Sequence, residues 1–193
     1  MVAVNSTMLP LGTAVPAIDL PDASGRRWRL EDEAPASPAL LVAFVCNHCP
    51  YVRHLGPAIG DAAGRWQALG VVVVAVNAND AGAYPDDAPD AMLTTAAEWG
   101  WDFPYLVDAD QTAAHAFRAA CTPDFYLFDA DRRLAYRGRF DGSTPGNDVP
   151  VTGDELDAAV RAVLDGTVPS EDQVPSIGCN IKWRPGNEPD WFG

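Results

Sequence analysis

Leu40-Leu41-Val42-Ala43-Phe44-Val45-Cys46-Asn47-His48-Cys49 is the stretch whose reading decides the fold. Its first six residues are apolar without alternation, the pattern of a strand covered on both faces, as parallel strands are. Beyond the two cysteines, Val52, Leu55, Ile59, Ala62, Trp66 and Leu69 recur at three- and four-residue steps, which puts them on one face of a helix. A second continuous apolar run, Val71 to Val76, follows. Strand, helix and strand in this order make a right-handed crossover unit.

Working outward, Ile18 to Leu20 and Trp28 to Leu30 flank the turn formers Asp22, Ser24 and Gly25 and read as an amino-terminal hairpin. Downstream, Pro89 to Trp99 reads as a helix with Asp87 or Ala88 near its start, Pro104 to Val107 as a strand and Thr112 to Ala119 as a helix. Phe125 to Phe128 and Leu134 to Arg137 flank the polar turn Asp129 to Arg132 and are expected to pair antiparallel. Thr152 to Leu164 is a last helix, with Thr152 facing Glu155 at capping-box spacing. Pro57, inside the long helix, removes an amide and predicts a kink.

The expectation is one α/β domain over residues 1–168, a central mixed sheet flanked by helices with an amino-terminal hairpin. Residues 169–193 read as a tail rather than a second domain. Its Ile177, Ile181, Trp183, Trp191 and Phe192 are expected to dock it, since burying one such side chain is worth roughly 1.5–3 kcal/mol.

Composition excludes several partners. The formal charge is −14 with Lys182 the single lysine, which argues against nucleic acid, because phosphate binding needs clustered Lys and Arg. No apolar run approaches the roughly 18 residues of a membrane span, and Met1 to Leu11 carries neither Lys nor Arg. The expected address is therefore cytoplasmic, with no membrane partner. Four cysteines in 193 residues do not make the dense disulfide framework of small secreted domains, so chemistry or metal binding comes first.

Cys46 and Cys49 fall at the carboxyl end of a central strand, the edge at which open α/β sheets place their sites. Unpaired amides and the dipole at the helix start favour a thiolate, expected on Cys46, whose pKa would fall below the ordinary value of about 8.5. Cys49, three residues on, is within bonding reach and is expected to resolve a mixed disulfide formed by Cys46. A buried core pair is the bland alternative. A zinc site needs a second ligand pair, and no such pair with suitable spacing is present, so no metal is expected. Thr122-Pro123, just before a strand, adds a candidate cis peptide bond.

Together these features resemble the thioredoxin-like superfamily, and more closely its redoxin branch related to alkyl hydroperoxide reductase and thiol-specific antioxidant proteins. The resembling segments are Phe44–Val52, Val76–Asp87, Phe103–Leu106, Cys121–Phe128, Arg137–Asp141 and Ser176–Trp183. The resemblance implies a thioredoxin fold and disulfide oxidoreduction or peroxide defence, with no bound cofactor. It implies a disulfide-containing protein, small thiol or peroxide as substrate, and a reductase or thiol as electron donor. Asn47, Thr122 and Pro123 would contact substrate, the cis-proline loop cradling its backbone.

Departures from better-known relatives sharpen this expectation. Val45 stands where thioredoxins usually have tryptophan, and Asn47-His48 replaces Gly-Pro. A histidine before the second cysteine is similar to the motifs of periplasmic oxidases and isomerases, so His48 is expected to tune the potential. Cys49-Pro50 fits the end of the peroxiredoxin pattern, but Cys46 and Val42 replace its threonine and proline; direct peroxidase action would use Cys49 with a helper such as Arg137. Metal carriage by the same cysteines is the remaining alternative. Cys121 and Cys179 are each either an additional redox sulfur or a packing residue, and His54 and His115 are assigned ordinary surface or packing roles.

Overall fold

The computed structural model describes residues 3–34 and 36–191, so Phe192 of the expected tail contacts lies outside the described residues. The elements, in order, are β1 (Ala3–Asn5), β2 (Asp19–Pro21), β3 (Arg27–Arg29), α1 (Leu30–Glu33), β4 (Leu40–Phe44), α2 (Pro50–Gln67) and β5 (Val72–Asn77). A single 3-10 turn at Pro85–Asp87 leads to α3 (Pro89–Glu98), β6 (Tyr105–Val107), α4 (Thr112–Phe117), β7 (Cys121–Thr122), β8 (Asp124–Phe128), β9 (Leu134–Gly138), α5 (Asp154–Leu164) and β10 (Ile177–Asn180).

The central sheet has strand order β6-β5-β4-β8-β9. β4 pairs parallel with β5, and β5 with β6; β8 pairs antiparallel with β4 and β9. The unalternating run of β4 is explained by its two neighbours in space. Leu41, Ala43 and Val45 face a core shared with Leu55, Ile59 and Trp66 of α2 and Leu156 and Val160 of α5. Leu40, Val42 and Phe44 face a second core containing Trp28, Phe117, Ile181 and Trp183. Both halves of the period-two alternation are therefore apolar. Phe44 meets Phe117 at 5.3 Å and Tyr126 at 5.9 Å between ring centroids, in tilted and edge-on geometry that suits ring quadrupoles.

Several sequence expectations change here. Leu69 lies beyond the end of α2 and is exposed, because the helix closes at Ala68 and the chain turns through Gly70 into β5. Thr152 does not cap α5; its hydroxyl turns to Asp154, Gly153 is the N-cap, and Asp141 accepts the amides of Thr152 and Gly153 at 2.7 Å each. Glu155 is drawn instead to Arg139, whose Nε donates to both its oxygens at 2.9 and 3.0 Å. Ile177 is half-exposed rather than a docking residue, whereas Ile181 and Trp183 are buried.

The segment after α5 adds a strand. β10 lies between β1 and β7 in a three-stranded antiparallel sheet, with Cys179 opposite Thr122 and Asn180 opposite Cys121. A Cβ on Gly178 would stand 2.0 Å from the Thr122 carbonyl oxygen, so only glycine lets β10 approach β7 this closely. The carboxyl-terminal segment is thus held directly against the chain that precedes Pro123. None of the described helices is long and apolar enough to cross a membrane.

Candidate active site

All four cysteines are buried, and three of them, Cys46, Cys49 and Cys179, share one cluster where β4 ends and α2 begins. Cys46 follows β4 through Val45, and Cys49 is the N-cap of α2 with Pro50 at the first helical position, where a missing amide costs nothing. The Thr122–Pro123 peptide is cis. It presents two oxygens to the pair: Thr122 Oγ1 lies 3.2 Å from Cys46 Sγ, and the Thr122 carbonyl accepts the Cys49 thiol at 3.2 Å. The two sulfurs lie close enough for each to shift the ionisation of the other.

Electrostatics corrects the expectation that Cys46 holds the anion. Burial pushes the Cys46 thiol well up, and the hydrogen-bonded Cys49 sulfur and the charge of Asp87 push it further. Cys49 moves the other way, pulled well below the ordinary thiol by hydrogen bonds from Cys179 and Cys46 against the cost of burial, with backbone amides adding to the pull. The N-cap position, not the strand end, is where the first-turn amides gather, so Cys49 is the more readily ionised of the two sulfurs.

His48 sits beside Cys46 but is organised by a carboxylate that sequence reasoning assigned to a helix start. Asp87, at the end of the 3-10 turn, is buried; its Oδ2 pairs with His48 Nδ1 at 2.6 Å and accepts Asn79 Nδ2 at 2.8 Å, and its Oδ1 accepts the Asn47 amide at 2.7 Å. Burial raises its pKa, yet these donors outweigh burial and hold it below the ordinary carboxylate. His48 stacks on Tyr84 at 5.4 Å, and its Nε2 has no hydrogen-bond partner among the described residues. Two aspartates follow Pro85, and nothing in the sequence distinguishes the one that turns inward.

Other expected site residues take different roles. Asn47 was expected to meet substrate, but its side chain is consumed internally: Nδ2 donates to the Asp86 carbonyl at 2.7 Å and Oδ1 accepts from Tyr105 at 3.0 Å. Thr122 and Pro123 are buried, with β10 already paired along Thr122. Cys121 faces away from the pair, its sulfur against the carbonyls of Pro123 and Ser176 at 3.7 and 4.0 Å. Arg137 serves neither thiol: its guanidinium donates to the Leu9 carbonyl at 2.9 Å and to Gln173 at 2.7 Å. His54 bonds Ser143 and His115 packs on Trp183, the ordinary roles expected of them.

Cys46 Sγ, a His48 ring nitrogen and an Asp87 oxygen lie within 4.8 Å of one another, a donor set that could hold a metal ion. Both Asp87 oxygens already accept hydrogen bonds, so an ion would have to replace them. On the His48 side a surface cleft of about 460 Å³ is lined by Asn47, His48, Arg53, Asp86 and Trp99. Cys46 and Cys49 themselves are fully covered.

A five-stranded mixed sheet with the site at the carboxyl end of its central strand, a cis-proline and a paired-cysteine helix start define a thioredoxin fold. The chain matches the AhpC/TSA family over residues 11–137, well over half its length, and belongs to that family. Two solved structures resemble it along nearly the whole chain. An uncharacterized conserved protein from Geobacillus kaustophilus is 47% identical, with 96% of this chain and 98% of that one covered and a TM-score of 0.93. A hypothetical protein from Sinorhizobium meliloti is 48% identical, with 94% and 99% covered and a TM-score of 0.92. A secreted Mycobacterium tuberculosis disulfide oxidoreductase, 18% identical with 75% and 95% covered, shares the fold at a TM-score of 0.58. No curated protein matches the chain.

Proposed function

We propose that this protein is a thiol–disulfide oxidoreductase that cycles Cys46 and Cys49 between dithiol and disulfide. The observation that carries the reading is the pair itself: two sulfurs at a strand–helix junction, each 3.2 Å from an oxygen of Thr122 in the cis Thr122–Pro123 peptide. In the reducing direction Cys46 attacks a substrate disulfide as its proton passes to the Cys49 thiolate. One substrate sulfur leaves as a thiolate and the other is held on Cys46 as a mixed disulfide. Cys49, deprotonated again, attacks the Cys46 sulfur, releases the second substrate thiolate and leaves a Cys46–Cys49 disulfide. An external dithiol returns the two electrons. Run backwards, the same steps oxidise a substrate dithiol.

His48 lines the access cleft and has a ring nitrogen within 4.8 Å of Cys46 Sγ, so on this reading it tunes the pair and its displacement admits substrate. Asp87 acts through His48 as a positioning residue. Pro123 and Thr122 shape the wall opposite the sulfurs, and a disulfide-containing protein or small disulfide is the substrate class. No cofactor enters the cycle.

Cys46→Ser should abolish reduction of a disulfide substrate by dithiothreitol, and Cys49→Ser should accumulate a covalent substrate adduct on Cys46, read by intact mass. Wild-type turnover in Cys46→Ser would overturn the proposal. The readier ionisation of Cys49 favours one second reading, a thiol peroxidase in which Cys49 attacks a hydroperoxide. Peroxide consumption that survives Cys46→Ser but not Cys49→Ser would select it.

A further inference from the structure

Strand alternation separates the two additional cysteines. Thr122 faces the active pair, with its hydroxyl 3.2 Å from Cys46 Sγ. Successive side chains on a strand point to opposite faces, so Cys121 turns away, as its contacts with the Pro123 and Ser176 carbonyls confirm. Cys179 lies directly opposite Thr122 in the antiparallel ladder and therefore projects on the same face as Thr122. There it joins the cluster that contains Cys46 and Cys49, from which Cys121 is missing. Cys49 interacts electrostatically with both Cys46 and Cys179, which share its cluster. Gly178 makes this arrangement possible by letting β10 close on β7.

We propose that Cys179 is a third exchanging sulfur, which takes Cys49 into a Cys49–Cys179 disulfide and returns Cys46 to the thiol. The step deepens the Cys46–Cys49 cycle proposed above and rests on it. The Cys179 thiolate attacks Cys49 Sγ of the Cys46–Cys49 disulfide; the Cys49–Cys179 bond forms, the Cys46–Cys49 bond breaks, and Cys46 leaves as a thiolate that takes up the proton Cys179 gave. The exchange moves no electrons on or off the chain, so it needs no further oxidant. Its consequence is that the disulfide is stored between α2 and β10, away from the His48 cleft, while the sulfur nearest that cleft is free to react.

The test uses the full chain carrying Cys46→Ser, oxidised with excess oxidised glutathione, alkylated and digested with trypsin. Arg29, Arg53, Arg118, Arg132, Arg161 and Lys182 place Cys49, Cys121 and Cys179 on the separate peptides 30–53, 119–132 and 162–182. The expected product is 30–53 linked to 162–182, in at least about tenfold excess over any link to 119–132, a preference equivalent to about 30 mV for a two-electron couple. Cys49 recovered as a glutathione adduct beside an alkylated Cys179, or linked to Cys121, would overturn the inference. Should Cys46→Ser not fold, the wild type and Cys179→Ala are oxidised in parallel. The link between 30–53 and 162–182 should form in the wild type and vanish in Cys179→Ala. A wild type containing only the Cys46–Cys49 disulfide, with a midpoint potential that Cys179→Ala leaves unchanged, refutes the third sulfur while sparing the two-cysteine cycle; a Cys179→Ala variant that forms no Cys46–Cys49 disulfide refutes the cycle itself.

Discussion

Gly178→Ala should open the active site without touching a sulfur. The added Cβ would fall 2.0 Å from the Thr122 carbonyl oxygen and 2.6 Å from its carbon, both backbone atoms that no side-chain rotation can move aside. An ordinary carbon–oxygen contact needs about 3.3 Å or more, so β10 must retreat by more than about 1 Å. Hydrogen bonds near 2.9 Å then stretch toward 4 Å, out of range, and the pairing of Cys179 with Thr122 and Asn180 with Cys121 is lost. Overpacking costs about 1–3 kcal/mol and each net backbone bond about 0.5–1.5 kcal/mol, so a destabilisation of roughly 2–4 kcal/mol is expected. Buried thiols react through opening, and lowering that cost by about 2 kcal/mol speeds modification about 30-fold. Urea unfolding reads the first quantity and the rate of native-state alkylation the second. Gly64→Ala is the control, since its Cβ meets nothing within 4 Å on an α-helix and should be neutral or slightly stabilising. If Gly178→Ala matched the wild type in both measurements, the view that β10 seals the thiols would be wrong.

Two further outcomes concern buried carboxyls. Asp124, at the start of β8, is pushed by burial from an ordinary 3.8 to about 7, against the hydrogen bond that the Tyr126 hydroxyl donates to its Oδ2 at 2.8 Å. The native state therefore keeps a proton that the unfolded chain releases, so stability falls as pH rises from about 4 to about 7, by about 1.4 kcal/mol per pH unit and about 4 kcal/mol in all. In Asp124→Asn that fall should disappear, and parallel urea-unfolding profiles for variant and wild type would contradict it. Asp87→Asn removes a negative charge that pushes the Cys46 thiol up, so in a Cys49→Ser background the pH midpoint of Cys46 alkylation should move down; a midpoint that rises or stays would show that Asp87 does not act on Cys46.

Much of this protein could be read along the chain. The continuous apolar runs of β4 and β5 announced strands covered on both faces, the three- and four-residue steps from Val52 to Trp66 announced α2, and Phe125–Phe128 with Leu134–Arg137 announced the antiparallel pair. Each depends only on local periodicity and on which residues water rejects. The position of Cys46 and Cys49 at a strand–helix junction was legible for the same reason. The capping assignment at Thr152 failed because Asp141, distant in sequence, competed successfully for the same amides.

What tertiary structure decided is which groups meet the sulfurs. Asp87 and Tyr84 reach His48 from the loop after β5, Thr122 brings its hydroxyl and carbonyl from β7, and Cys179 arrives on a strand contributed by the carboxyl-terminal segment. Those approaches also push the Cys46 thiol up and the Cys49 thiol down, since a thiol's ionisation depends on the donors and carboxylates around it rather than on its neighbours in sequence. Periodicity encodes which face of an element is buried; it carries no information about what that face is buried against.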